Sequence, residues 1–207
     1  MTPLDDRSNN NFVKPIKKDT RQAILEAAAP LIYRQGFHRT GLKEILEAAG
    51  VPKGSFYFYF KSKEDFGLAV IDYYSSRLNE RANMERDASA QPPLVRLKTL
   101  FTARRDLRVS DGCEGGCPLG NLAQEMSDLS PVMRQRLQQA LTLVASHIVA
   151  LLREAKERGE LAEALDPVQL GEFILDAWEG ALLRMKAEKS PEPLDRFIHF
   201  IFNTILA

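Results

Sequence analysis

Two cysteines four residues apart are the side chains with the clearest potential for covalent chemistry. Cys113 and Cys117 lie in the glycine-rich segment 111–117, and Pro118 follows directly. Because proline is favoured in the first turn of a helix, Cys117 is predicted at a helix N-terminus, where the helix dipole stabilises a thiolate and lowers its pKa. Cys113 would be close enough to resolve an oxidised Cys117, whereas two acidic residues of the same loop oppose the lower pKa. Electrophile or redox sensing and ordinary thiol packing are both open interpretations.

The segment 52–60, PKGSFYFYF, offers a second kind of chemistry, the recognition of DNA. A turn at Gly50 joins it to a preceding short helix, and two helices joined in this way form a helix-turn-helix whose second helix enters the major groove. Four side chains of the second helix can donate hydrogen bonds: Lys53, Ser55, Tyr57 and Tyr59. Gly54 lets the backbone approach phosphates closely, and Phe56 and Phe60 would hold the helix to the core. A buried aromatic helix without a function is the alternative.

Charge is distributed unevenly along a chain whose formal net charge is zero. Residues 1–63 contain 11 Lys and Arg against 6 Asp and Glu, whereas the other 144 residues contain 17 basic and 22 acidic side chains. The N-terminal part, which we call the head, is basic, and the rest of the chain, which we call the body, is acidic. This distribution suggests a polyanionic partner at one end only. We predict a flexible basic arm over residues 1–17, a helix-turn-helix DNA-binding domain over 18–62, and a ligand-sensing and dimerisation domain over 63–207.

Hydrophobic periodicity predicts helices throughout and gives no convincing strand alternation, so the predicted fold class is all-α. Cap residues, glycines and prolines place the helix ends. The predicted helices run from about Asp19 to Gly36, Gly41 to Ala49, Pro52 to Phe60, Ser62 onward, Pro93 onward, Pro118 onward, Ser130 to Arg158, Asp166 to Lys186, and Glu192 to Leu206. The first three form an N-terminal helix-turn-helix domain, and the others form a C-terminal helical bundle.

The last two predicted helices carry more apolar side chains than a monomer surface tolerates. We therefore predict a homodimer whose interface uses both helices. The predicted interface residues are Phe173, Ala177, Ala181, Leu194, Phe197, Ile198, Ile201 and Ile205. Phe101, Trp178, Met185 and the adjacent Lys186 are candidates to line a ligand pocket, although core positions and a surface lysine are the simpler interpretations.

Other functional classes leave no pattern in the sequence. There is no glycine-rich phosphate loop, His-Glu-x-x-His or Gly-x-Ser-x-Gly motif, so we predict neither an enzyme nor a cofactor. Two cysteines supply half of a closed zinc site, and the 3 histidines are scattered, so no metal is predicted. No run of about 18 apolar residues is present, which predicts a cytoplasmic protein without membrane contact. A helical adaptor is the remaining alternative, although it would not need a basic head.

The head closely resembles the tetracycline-repressor (TetR) family of regulators. Residues that match the family pattern are Gly50, Val51, Lys53, Gly54, Phe56, Tyr57, Tyr59, Phe60, Lys63 and Glu64. The resemblance implies an all-helical homodimer on double-stranded operator DNA, with repression that a ligand in the C-terminal domain relieves. It also implies DNA contacts from Thr40, Lys43, Tyr57, Tyr59 and Lys63. Pro52 replaces the usual capping serine, and Phe58 replaces a frequent histidine, so its contact would be apolar, for example with a thymine methyl group.

The body resembles a branch of the same family that includes the repressor of N-ethylmaleimide reductase. The matching segments are 116–125, 128–130 and 178–181, with Lys186 and Pro193-Leu194. This likeness implies an inducer that is an electrophile or an oxidant. A reversible apolar ligand with no cysteine chemistry is the alternative inducer.

Overall fold

The computed structural model describes residues 20–87 and 90–207, and all the regular structure in those two ranges is helical. In chain order, the helices are α1 Thr20–Gln35, α2 Leu42–Ala49, α3 Phe56–Tyr59, α4 Lys63–Asp87, α5 Pro93–Ser110, α6 Pro118–Met126, α7 Pro131–Glu157, α8 Pro167–Glu188 and α9 Glu192–Phe200. A 3-10 turn over Lys53–Ser55 leads into α3, and a π-helical turn over Ile201–Ile205 extends α9. The all-α prediction is confirmed. The predicted arm over 1–17 and the predicted cap at Asp19 lie outside the described residues.

Local sequence signals start most of these helices. Proline stands in the first turn of α5, α6, α7, α8 and α9. Asp166 accepts hydrogen bonds from two backbone N–H groups in the first turn of α8, at 3.0 and 2.9 Å. Before α4, Ser62 Oγ accepts from the N–H of Asp65 at 3.0 Å, and the Asp65 carboxylate accepts from the N–H of Lys61 at 2.9 Å. These caps satisfy donors that a helix start leaves without an intrahelical partner.

An aromatic core holds α3 in the head. Phe56, Phe60 and Phe66 are almost fully buried, and their ring centroids lie 5.0–5.5 Å apart. The first two are four residues apart and face the same side, as predicted. Because α3 has only 4 residues, this packing, rather than its own backbone hydrogen bonds, fixes its orientation.

The head and the body share one hydrophobic cluster. It combines buried side chains of α1 to α4 with Leu119 and Leu122 of α6 and with Met133 and Leu137 of α7. The predicted functional division at residues 62 and 63 coincides with the start of α4, but the packing continues across it. That division therefore stays a prediction about function, and a displacement of α6 would be felt in the head.

A second hydrophobic cluster fills the body between α5, α7, α8 and α9. At its centre, the ring centroids of Phe101, Trp178 and Phe197 lie 5.0–5.1 Å from one another. Leu194, Phe197 and Ile201 belong to this core and are at most 6% exposed. Their predicted place in a dimer interface is corrected, because a side chain that is already buried has no surface left to cover.

The remaining predicted interface residues still have exposed surface. Phe173 is 53% exposed. The partly buried members are Ala177, Ala181, Ile198 and Ile205. Leu183 of α8 and Phe200 of α9, which sequence reasoning did not select, are 49% and 54% exposed. Phe173, Leu183 and Phe200, the outer apolar residues of α8 and α9, are the revised interface candidates. Across residues 20–87 and 90–207, no helix is both long and apolar enough to span a membrane.

Candidate functional site

The turn between α2 and α3 is built around Gly50. Its φ of +66° lies in the left-handed region that favours glycine, and its N–H donates to Glu47 O at 3.2 Å. Val51 N–H donates to Leu46 O at 2.9 Å. These bonds close the end of α2 and fix the direction in which the chain enters α3. The predicted helix-turn-helix is therefore present in the head.

The recognition segment presents two aromatic side chains to solvent. Tyr57 is 68% exposed and Phe58 is 83% exposed, whereas large aromatic residues are usually well buried. The other predicted DNA-contacting residues of this segment are also at least partly exposed: Lys53, Gly54, Ser55 and Tyr59. An exposed aromatic and polar surface on the second helix suits entry into a groove, and the individual contacts stay predictions.

Two residues that the family resemblance assigned to DNA have partners inside the protein. Thr40 is fully buried and its hydroxyl donates to Gly36 O at 2.6 Å, so the side chain shapes the α1–α2 turn and its predicted contact with DNA is corrected. Lys63 Nζ donates to His38 O at 3.2 Å, which ties α4 to the same turn. Lys43 is exposed on α2, where a contact with a phosphate stays a prediction.

A carboxylate from the body also holds this turn. Glu125 of α6 accepts hydrogen bonds from the backbone N–H groups of Phe37 at 2.8 Å and His38 at 2.6 Å. A Cβ placed on Gly36, whose φ is +88°, would lie 3.1 Å from the same carboxylate, so the glycine leaves the space that the carboxylate occupies. We call this contact the Glu125 clasp. It fastens the last turn of α6 directly to the backbone between α1 and α2.

A cavity of about 380 Å³ lies between the head and the body. Its lining residues come from α1, α4, α5, α7, α8 and the start of α6: Ala29, Pro30, Tyr33, Tyr73, Tyr74, Arg77, Leu78, Arg81, Arg104, Leu107, Arg108, Gly116, Cys117, Pro118, Val144, Leu175, Trp178, Glu179 and Leu182. α4 reaches both regions, because Phe66 packs in the aromatic core of the head and Tyr73 lines the cavity. A molecule in this cavity would therefore contact α4, the helix that also packs against the aromatic core of the head.

The predicted pocket residues divide between the cavity and the core. Trp178 and Cys117 line the cavity. Phe101 and Met185 have no exposed surface and pack in the body core, so their predicted role in lining a pocket is corrected. Lys186 Nζ donates to Asn121 Oδ1 at 3.1 Å and lines a neighbouring, smaller pocket.

Cys117 is the N-cap residue of α6, as predicted, and the N–H of Gly120 donates to its sulfur at 3.4 Å. The predicted low pKa is wrong. Burial and, next, the Glu179 carboxylate raise the pKa of the Cys117 thiol well above its ordinary value and outweigh the helix start. Burial raises the pKa of the Glu179 carboxyl group as well. Cys117 is therefore a protonated thiol at neutral pH.

Cys113 has a different position from the one its spacing suggested. It is buried in the body core, and its backbone has a left-handed φ of +58°. A resolving role, which requires an accessible thiol, finds no support in this position. Among the described residues, no group of three or more His, Cys, Asp or Glu side chains is arranged to hold a metal ion.

Comparison with known proteins assigns both halves of the chain to one family. Residues 24–70 match the family described as bacterial regulatory proteins, tetR family, and residues 93–201 match the tetracyclin repressor-like C-terminal domain. The chain belongs to the TetR family. Regulators of this family bind operator DNA and act as dimers, which supports the predicted DNA partner and self-association.

Three relatives illustrate how far the TetR similarity extends. The HTH-type transcriptional repressor DhaR of Mycobacterium sp. (strain GP1) is 34% identical over 90% of this chain and 92% of DhaR. The transcriptional regulator AcuR of Cereibacter sphaeroides is 38% identical over 88% of this chain and 86% of AcuR. The crystal structure of reduced E. coli NemR has a TM-score of 0.82 at 30% identity, over 91% of this chain and 98% of NemR. The HTH-type transcriptional repressor NemR of E. coli is 31% identical over 93% of this chain and 96% of NemR. This similarity agrees with the family branch that the body sequence resembles.

Sequence reasoning about this TetR chain missed several charged residues at the junction of head and body. They are Glu125, Glu179, Arg77, Arg81, Arg104 and Arg108. The arginines did leave a signal, since they form two pairs with i,i+4 spacing, and like charges at that spacing destabilise a helix unless something compensates them. The glutamates left none, because their partners are far away in the sequence.

Proposed function

We propose that this chain represses transcription as a homodimer bound to double-stranded operator DNA, and that a small molecule in the cavity releases it. The observation that carries the proposal is the position of the cavity, with α1 of the head on one side, α8 of the body on the other, and α4, which packs against the head, along its wall. Each protomer would place one α3 in a major groove, and the two helices would lie about 34–36 Å apart, one turn of DNA. A ligand that changes the angle between head and body would change that spacing.

Two contacts could carry the ligand's effect to the recognition helix. One is α4, which lines the cavity and packs in the aromatic core of the head. The other is α6, whose first turn lines the cavity at Pro118 and whose last turn carries the Glu125 clasp. The required bias is small, because a difference of about 1.4 kcal/mol in ligand affinity between the two head orientations changes operator affinity tenfold.

Replacing Tyr57 with alanine is expected to weaken operator binding by about 1–3 kcal/mol, because an exposed α3 side chain that bonds a base or a phosphate is removed. Selection from random DNA with the purified protein supplies the operator, and fluorescence anisotropy at fixed salt measures the affinity. Leu143→Ala, which removes a partly exposed apolar side chain on α7, is the matched control and should bind as the wild type does. Unchanged affinity of folded Tyr57→Ala would count against α3 as the recognition helix.

A second candidate for the release step is covalent modification of Cys117, which lines the same cavity as Glu179. With a maleimide, the sulfur would bond to one carbon of the double bond, and the thiol proton would pass through the Glu179 carboxylate to the other carbon. Because the thiol pKa is raised, the thiolate fraction and the reaction rate should increase as the pH rises above neutrality.

For this covalent route, Cys117→Ser is expected to bind the operator normally but to resist release by N-ethylmaleimide. Anisotropy follows release, and mass spectrometry of the wild type should find the adduct on Cys117. Cys113→Ser is the matched control, because its thiol is buried and its loss should leave release unchanged. If Cys117→Ser is released at the wild-type rate, the covalent route fails and a reversible ligand remains.

A further inference from the structure

We propose that the cavity between head and body is built for an amphipathic organic carboxylate, with guanidinium groups for the anionic end and an apolar wall for the rest. This inference rests on the proposed role of the cavity as the inducer site. The volume of about 380 Å³ falls within the range of small-molecule sites, which is roughly 300–1,000 Å³. The apolar wall comes from the body and consists of Val144, Leu175, Trp178 and Leu182. Such a wall fits a short aliphatic or aromatic chain.

The charge of the lining selects an anion. Arg77 and Arg81 of α4 and Arg104 and Arg108 of α5 line the cavity, and each pair has i,i+4 spacing. Among the described lining residues, Glu179 is the one acid. An anion placed among these four guanidinium groups gains a favourable electrostatic interaction with each of them. The guanidinium group also matches the planar carboxylate, because two parallel N–H groups can bond its two oxygens.

Contacts within the protein hold part of this basic surface in place before a ligand enters. Arg108 donates hydrogen bonds to the Tyr33 hydroxyl and the Gly116 carbonyl oxygen, and it forms a salt bridge with Asp111 at 2.9 Å. Tyr33 belongs to α1, and its hydroxyl donates to Gly116 O at 2.8 Å. An anion near Arg108 would therefore bind beside a contact that joins α5 to the head. This is how occupation of the basic side could change the orientation of α1.

The chain contains one tryptophan, Trp178, which lines the cavity, so emission excited at wavelengths that its 5 tyrosines do not absorb reports on this one side chain. Hexanoate and hexanamide are nearly identical in size, but only hexanoate is charged at pH 7.5. We expect hexanoate to change the Trp178 emission saturably and hexanamide to bind about tenfold more weakly or worse. Equal binding of the two probes, tighter binding of the amide, or no response to either would overturn the proposal.

Charge variants test the assignment of the basic side. Arg104→Gln should weaken hexanoate binding about tenfold and leave hexanamide binding unchanged. Arg105→Gln is the matched control, because the neighbouring guanidinium contacts Asp195 at 2.7 Å and does not line the cavity. Glu179→Gln removes the acid and should strengthen hexanoate binding several-fold, so the proposal stays testable if Arg104→Gln fails to fold. If Arg104→Gln and Glu179→Gln leave hexanoate binding unchanged, or change hexanamide binding equally, the carboxylate site is wrong.

Operator binding separates this inference from the proposed function. Hexanoate that binds at Trp178 and also releases the operator supports both. Hexanoate that binds with the expected charge dependence but leaves the operator bound supports the carboxylate site and contradicts the cavity's role in release.

Discussion

Replacing Ile201 with aspartate is expected to unfold the body instead of yielding a folded monomer. Ile201 is the first residue of the π-helical turn that extends α9, and it is buried in the same cluster as Phe101 and Trp178. The substitution removes core packing and places a carboxylate in an apolar cluster, at a penalty of about 4–5 kcal/mol or more in the free energy of unfolding. Thermal unfolding followed by circular dichroism measures the loss. A protein that melts within a few degrees of the wild type would show that Ile201 is not a core residue.

Phe173→Asp is the matching test of the dimer, because this side chain is exposed and its replacement leaves the core intact. We expect a folded protein that sediments as a monomer and binds the operator at least about a hundredfold more weakly, since one head then binds without the other. Val95→Asp replaces an exposed apolar residue of α5, outside the revised interface, and should remain dimeric. A dimeric Phe173→Asp protein with normal operator affinity would exclude this face of α8 as the interface.

Removing the Glu125 clasp should also weaken operator binding, through the orientation of the head. Glu125→Ala deletes two charge-assisted hydrogen bonds to the backbone of Phe37 and His38. Each such bond contributes about 1.5–3 kcal/mol when well shielded, so the partly exposed pair contributes roughly 2–3 kcal/mol in total. The head of Glu125→Ala is then less firmly oriented relative to the body. Both recognition helices of the dimer must be spaced by one turn of DNA, so a loosely held head makes this arrangement less populated. Operator affinity should therefore fall by roughly thirtyfold, if about 2 kcal/mol appears in binding.

Two neighbouring variants make the clasp experiment specific. Gln124→Ala changes an exposed side chain on the same turn of α6 and should bind the operator normally. Glu125→Gln keeps one acceptor oxygen without the charge and should lie between the wild type and Glu125→Ala. Anisotropy gives the affinities, and melting temperatures show whether the proteins are folded. If Glu125→Ala binds the operator as tightly as Gln124→Ala does, α6 does not control the head through this contact.

Features that depend on nearby residues could be predicted from the sequence. Helix starts at Ser62, Ser130 and Asp166 follow from side chains that bond backbone groups two or three residues away. The turn at Gly50 and the outward position of Tyr57 follow from short-range spacing, for the same reason. The all-α fold and the family follow from such local patterns. The place of Cys117 at the start of α6 was also predictable, because Pro118 marks it.

Only the tertiary structure decided how those elements meet. The stretch Phe197–Ile205 contains several large apolar side chains close together, so its sequence could not show that Ile201 is buried while Phe200 stays exposed. The raised pKa of Cys117 comes from burial by helices distant in the sequence and then from Glu179, which is 62 positions away. The Glu125 clasp likewise joins residues 88 positions apart. Sequence patterns show which side chains of a helix can be buried or can form local hydrogen bonds. The electrostatics of the cavity depend instead on which helices pack together. That packing is decided by how all the apolar faces of the chain are buried at once.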